Sequence, residues 1–159
     1  MAVIFSAREI AESAVEKEKR RKAFYAKVCE LSTDKKMKDL FQFLTDEEDK
    51  HVAAFTKLRD SLPAETRADE YDEDMDAYMD SMIDDRLYSK IDSAEFVKEA
   101  IDTKNVFQLA IGFEKDAILY FREFMPFLND ADKKIVDGLI EEEKGHIRKL
   151  AEVQKQLGE

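Results

Sequence analysis

Glutamate and histidine stand where amphipathic helices need apolar side chains, and they do so in four separate stretches of this chain. The only two histidines each follow a glutamate by three residues, in Glu47-Glu48-x-x-His51 and Glu142-Glu143-x-x-His146. Around the first, Met37, Phe41, Leu44, Glu48, His51, Phe55 and Leu58 recur in alternating steps of four and three, the spacing of one helical face. Around the second, Ile135, Leu139, Glu143, His146, Leu150 and Val153 form a similar stripe. Two further stripes carry one glutamate each: Ala7, Ala11, Ala14, Glu18, Tyr25, Val28 and Val106, Ala110, Glu114, Ala117, Phe121, Phe124. A fold for this sequence must bury four carboxylates and two imidazoles together. Burying a lone carboxylate costs several kcal/mol unless it is paired or metal-bound.

The rest of the chain favours long helices. Among 159 residues there are only 4 glycines and 2 prolines, and 40% of residues are charged. Hydrophobic residues make up 44%, enough to fill one core. Ser6 with Glu9 reads as a capping box at the start of the first helix. Ser32-Thr33-Asp34 and Asn129-Asp130-Ala131-Asp132 read as short turns with N-cap chemistry. The second helix is expected to end near Ser61-Leu62-Pro63, and the third to begin near Thr103. Between them a crossover is predicted to be partly helical. Met75, Tyr78, Met79, Met82 and Ile83 share one face there, and a short helix after Ser93 turns Phe96, Val97, Ala100 and Ile101 inward. The sequence thus reads as one all-α domain over 1–159, an antiparallel four-helix bundle of hairpins 6–61 and 104–157 joined by the crossover 62–103.

An internal repeat supports the two-hairpin reading. Ala14-Val15-Glu16-Lys17-Glu18-Lys19 resembles Ala110-Ile111-Gly112-Phe113-Glu114-Lys115 at an offset of 96 residues, and the two Glu-Glu-x-x-His segments are offset by 95. Glu18 and Glu48 are equidistant from residue 33, within the first turn. Glu114 and Glu143 are likewise symmetric about residues 128 and 129. Residues equidistant from the turn of an antiparallel hairpin sit at one height. Each hairpin then presents two glutamates and one histidine at one level, and docking the hairpins closes a cage of six ligands: Glu18, Glu48, His51, Glu114, Glu143 and His146. Carboxylates with imidazole suit iron, manganese or zinc.

Composition excludes other classes. The net charge of −11 disfavours nucleic acid. Nine of the acids fall between Asp69 and Asp85, without a lysine or arginine, and read as a solvated helix face. Asp72-x-Asp74-x-Asp76 does not continue as a calcium loop, because Ala77 and Ile83 replace the required glycine and glutamate. No run approaches the ~20 apolar residues of a membrane span. The opening MAVIFSAREIAES lacks the pattern of a secretory leader, so a cytoplasmic location is expected. Cys29, the single cysteine, reads as a buried spectator thiol.

The six-residue pattern is that of the ferritin-like di-iron carboxylate proteins, and the chain resembles their rubrerythrin-type branch over nearly its whole length. The resemblance implies two iron ions, with manganese or zinc as possible substitutes. It implies Glu18 and Glu114 as terminal ligands, Glu48 and Glu143 as bridging ligands, and His51 and His146 as one further ligand per iron. It also implies that Tyr25 hydrogen-bonds to a ligand, although from the sequence Tyr25 reads equally well as an ordinary core aromatic. An oxidoreductase of this type reduces peroxide or oxygen with electrons from a separate donor such as a rubredoxin-like protein, and a homodimer is expected. The alternatives are an iron-binding, ferroxidase or iron-buffering protein, and a metal site kept for stability. Three departures bear on this. The four-cysteine electron-delivery domain of full-length rubrerythrins is missing. Ala117 stands where they carry an additional glutamate that takes part in a redox-linked ligand switch, which leaves a ligand set more like a bacterioferritin ferroxidase centre. Asp49 stands where bacterioferritins carry their haem-binding methionine.

Overall fold

Asp34, Ser93 and Asn129 each accept a hydrogen bond from the backbone N–H three residues on, at 3.0, 3.1 and 2.8 Å, and each begins a helix. In the computed structural model, which describes residues 7–62 and 90–158, the helices are α1 (Ala7–Leu31), α2 (Lys35–Ser61), α3 (Ala94–Asp102), α4 (Val106–Phe124) and α5 (Asp130–Gln156). A 3-10 turn, Met125–Phe127, follows α4. The described residues contain no strand, and none of their helices is long and apolar enough to cross a membrane. The Ser6 cap, the Asp69–Asp85 acidic run and the Met75–Ile83 face lie outside the described residues.

The apolar stripes pack into two clusters. One joins the N-terminal half of α1 (Ile10, Ala14), the C-terminal part of α2 (Phe55, Leu58), the C-terminal half of α4 (Phe121, Phe124) and the start of α5 (Val136, Ile140). The other joins the opposite ends: Phe24 and Val28 of α1, Phe41 and Leu44 of α2, Phe107 and Phe113 of α4, and Leu150 of α5, with Val97 and Ala100 of α3. Each long helix therefore passes from one apolar cluster to the other. Between them, every one of the four carries buried ionisable residues: Glu18 and Arg21, Glu48 and His51, Glu114, and Glu143 with His146.

Most of the expected inward positions are buried, and four are not fully so. Ile135 is 49% exposed, and Val136 takes its place in the core at 0%. Two successive steps of four residues turn through about 800°, which is about 80° beyond two full turns, so a stripe begun at Ile135 leaves the core face. Phe96, Ile101 and Val153 are only partly buried, packed against the second cluster. Cys29 is half-buried rather than buried. Its Sγ lies 3.4 Å from the Lys38 carbonyl oxygen, at the contact between α1 and α2.

The third long helix begins at Val106, not near Thr103. The reason is a C-terminal stop on α3. Asn105 N–H donates to the Ala100 carbonyl at 2.9 Å and Lys104 N–H to the Ile101 carbonyl at 3.1 Å, the paired bonds of a Schellman motif. Lys104 occupies the left-handed position, with φ of 61°. That conformation brings a Cβ close to the following carbonyl and favours glycine. Lys104→Gly is therefore expected to stabilise the fold by about 1 kcal/mol, measured by urea denaturation. A loss of stability would show that the lysine side chain matters more than the backbone strain.

Candidate metal centre

The six residues singled out by spacing converge between the two apolar clusters. Glu18, Glu48, Glu114 and Glu143 are each 0% exposed, His51 1% and His146 4%. They form two overlapping groups, Glu18–Glu48–His51–Glu143 and Glu48–Glu114–Glu143–His146. Within each group one ligand atom per residue lies within 4.8 Å of the others. Either group could hold a metal ion, and Glu48 and Glu143 belong to both.

The imidazoles turn Nδ1 towards the carboxylates. His51 Nδ1 lies 2.6 Å from Glu143 Oε1 and 3.8 Å from both Glu18 Oε2 and Glu48 Oε2. His146 Nδ1 lies 3.4 Å from Glu143 Oε2 and 3.6 Å from Glu114 Oε2. The two rings stack with centroids 5.7 Å apart, and Phe43 meets His146 edge-on at 5.9 Å. These approaches do not satisfy the cluster. Glu18 Oε2, both oxygens of Glu48 and of Glu143, Glu114 Oε2, and Nδ1 of both histidines are buried without a hydrogen-bond partner. Even the 2.6 Å contact of His51 with Glu143 misses hydrogen-bond geometry. Each of the six residues thus holds at least one orphaned donor or acceptor atom, an arrangement that is costly without a cation among them. The donor set of carboxylate oxygens and imidazole nitrogens fits a pair of first-row divalent ions.

Electrostatics show the same strain. Burial, and then the charges of Glu18 and Glu143, push the Glu48 carboxyl well above its ordinary 4.5. Burial also works against ionised Glu143, but the neighbouring His146 and His51 outweigh it and bring its pKa down to about 2. Burial lowers the pKa of His51, yet Glu143, Glu18 and Glu142 together raise it above 6.5.

Tyr25 is a hydrogen-bond partner and not only a core aromatic. Its hydroxyl donates to Glu114 Oε1 at 2.6 Å, across the two hairpins. Burial, and then the Glu48 charge, raise its pKa well above 10.0, which keeps the proton on the donor.

Three residues were missed at the sequence level: Glu142, Glu47 and Arg21. Glu142 Oε2 lies 2.7 Å from His51 Nε2, and Glu47 completes an outer group with them. A carboxylate on the far nitrogen of an imidazole fixes the ring and its tautomer, leaving Nδ1 to face the other carboxylates as the atom that could bind a metal ion. The signal lay in the doubled glutamates of both motifs, Glu47-Glu48 and Glu142-Glu143. Arg21 is 1% exposed, pairs with Glu18 and holds its Nε 3.9 Å from Glu48 Oε2. Its signal was its position three residues after Glu18, on the same helical face.

No family model, curated protein or solved structure matched this chain when it was compared with each.

Proposed function

We propose that this chain is a ferritin-like antiparallel four-helix bundle that holds a pair of iron ions and reduces peroxide or oxygen with electrons from a separate donor, as rubrerythrins do. The observation that carries this reading is the sharing of Glu48 and Glu143 between two groups of buried, unsatisfied ligand atoms. In this proposal Glu48 and Glu143 bridge, while Glu18 and His51 complete one position and Glu114 and His146 the other. Bound iron would supply the electron chemistry that oxygen or peroxide reduction requires.

The chain's own residues would set the conditions for it. Tyr25 holds one oxygen of Glu114 and leaves the other for a cation. Glu142 holds His51 with Nδ1 directed into the cage. The apolar clusters on either side, with Phe55 and Phe121 at one end and Phe24 and Phe113 at the other, limit water at the site. Low water access strengthens the attraction between the carboxylates and a cation.

The test is NADH oxidation under anaerobic conditions, with iron-loaded protein and peroxide, with and without a rubredoxin-like carrier and its reductase. Turnover is expected only when the carrier is present, because Cys29 is the one cysteine among these 159 residues and a single thiol cannot form a four-cysteine iron site to relay electrons. Rapid turnover without a carrier would refute the separate donor. Iron uptake with no turnover from any small electron carrier would refute the oxidoreductase reading in favour of iron handling.

A further inference from the structure

The two hairpins differ in what stands one helical turn after the terminal glutamate. Three residues after Glu18 stands Arg21, and three residues after Glu114 stands Ala117. Both are 1% exposed, and both fall at the repeat offset of 96. The guanidinium of Arg21 pairs with Glu18 Oε1, and its Nε lies 3.9 Å from Glu48 Oε2. Ala117 offers no charge to the other half. There Glu114 takes its hydrogen bond from the neutral Tyr25 hydroxyl at 2.6 Å. The repeat counterpart of Tyr25 is Phe121, which has no hydroxyl to offer Glu18. The two terminal carboxylates are thus held by different chemistry, one by a permanent cation and the other by a neutral donor.

Arginine stays protonated in proteins, so this charge cannot be shed. In the metal-free chain it offsets part of the repulsion among four buried carboxylates. A cation entering between Glu18 and His51 meets that charge close by and competes with it for Glu18. A cation entering between Glu114 and His146 meets no permanent cation on its terminal carboxylate, whose bonded donor is the Tyr25 hydroxyl.

We propose that Arg21 is a positioning residue that makes the two halves of the centre unequal. It occupies Glu18 until metal arrives and weakens the Glu18–His51 position, so that the Glu114–His146 position fills first. This inference rests on the proposed metal centre and adds an order of loading to it.

The experiment is anaerobic calorimetric titration of the full chain with Fe²⁺, together with melting curves of the metal-free protein. The unaltered chain is expected to bind in two steps whose dissociation constants differ by about tenfold or more. Glu18→Gln should remove the weaker step and Glu114→Gln the tighter one. Arg21→Ala should tighten the weaker step by about tenfold, bringing the two together, while lowering the melting temperature of the metal-free protein. Arg21→Gln, which keeps length without charge, should behave in the same way if the alanine variant folds poorly, and Arg21→Lys should keep the steps apart. An arginine that only braces the fold would give the opposite sign, with both steps weakened on its removal. Equal steps in the unaltered chain, or no tightening in either neutral variant, would overturn the inference and leave the metal centre standing. No uptake of Fe²⁺ by the unaltered chain would overturn both.

Discussion

Glu48→Ala and Glu143→Ala are each expected to abolish binding of the metal pair, whereas Glu18→Ala and Glu114→Ala are each expected to lose one ion. The contrast follows from group membership. Glu48 and Glu143 each contribute to both sets of ligand atoms, and Glu18 and Glu114 to one set each. Removing a shared carboxylate takes a ligand from both positions and also a negative charge that offsets both cations. Removing a terminal carboxylate leaves the opposite position with its own glutamate, its histidine and both shared residues. For Glu48→Ala, loss of fold does not explain the expected result. Glu48 is strained by burial and by Glu18 and Glu143, so its removal relieves repulsion in the metal-free chain. Helical circular dichroism is therefore expected to persist in Glu48→Ala. The measurement is anaerobic loading with iron, desalting and elemental analysis. Two equivalents retained in either Glu48→Ala or Glu143→Ala would refute the bridging assignment. Complete loss in Glu18→Ala and Glu114→Ala as well would show that the two positions do not fill separately.

The six cluster residues were legible because a helix repeats its facing side chains at fixed spacing. Glu18, Glu48, Glu114 and Glu143 interrupt apolar stripes, and a charged residue within a stripe marks itself. Position along the stripe also carried the level. Each glutamate lies between apolar residues that belong to opposite clusters, as Leu44 and Phe55 do on either side of Glu48 and His51. Helix starts at Asp34, Ser93 and Asn129 were legible from cap chemistry, because one side-chain oxygen meeting one backbone N–H is a local event.

What escaped the sequence depends on contacts that local pattern does not encode. Arg21 sits within Lys19-Arg20-Arg21-Lys22, a run that reads as a solvated face. Only one member turns inward, and what distinguishes it is Glu18 one turn earlier. Glu142 reaches His51 across 91 residues of sequence, so nothing near either residue announces the pair. The end of α3 at Lys104 arises from two backbone hydrogen bonds that form at a lysine where glycine is the usual marker. Ile135 failed for a different reason. Near the start of α5 two apolar neighbours, Ile135 and Val136, compete for one core position, and a stripe read in steps of four chose the outer one.

Metal-free protein is expected to be most stable between about pH 4.5 and pH 6.5, and metal should stabilise it more as pH rises above that window. The folded pKa of Glu48 is raised above 4.5. Its contribution is fully present below that value and is lost as pH rises through the folded pKa, where an unwelcome charge must form inside the cluster. His51, raised above 6.5, acts in the same sense, since its proton is held by carboxylates that the unfolded chain does not gather. Glu143 acts in the opposite sense. Lowered to about 2, it stabilises the fold above 4.5 and loses that contribution as pH falls towards 2. A cation requires ionised Glu48 and an unprotonated Nδ1 on His51, so protons compete with metal, and the rise in melting temperature on loading should grow from about pH 5 to about pH 8. Glu48→Gln isolates the effect, because it imitates the protonated carboxyl at every pH. In metal-free form this variant should melt higher than the unaltered chain at pH values above the Glu48 pKa, with a flatter dependence on pH. Melting curves with a chelator and with iron, in the absence of oxygen, provide the comparison. A chelated protein whose melting temperature does not change between about pH 5 and about pH 8, or a metal-induced rise that shrinks as pH increases, would contradict the charge balance assigned to this cluster.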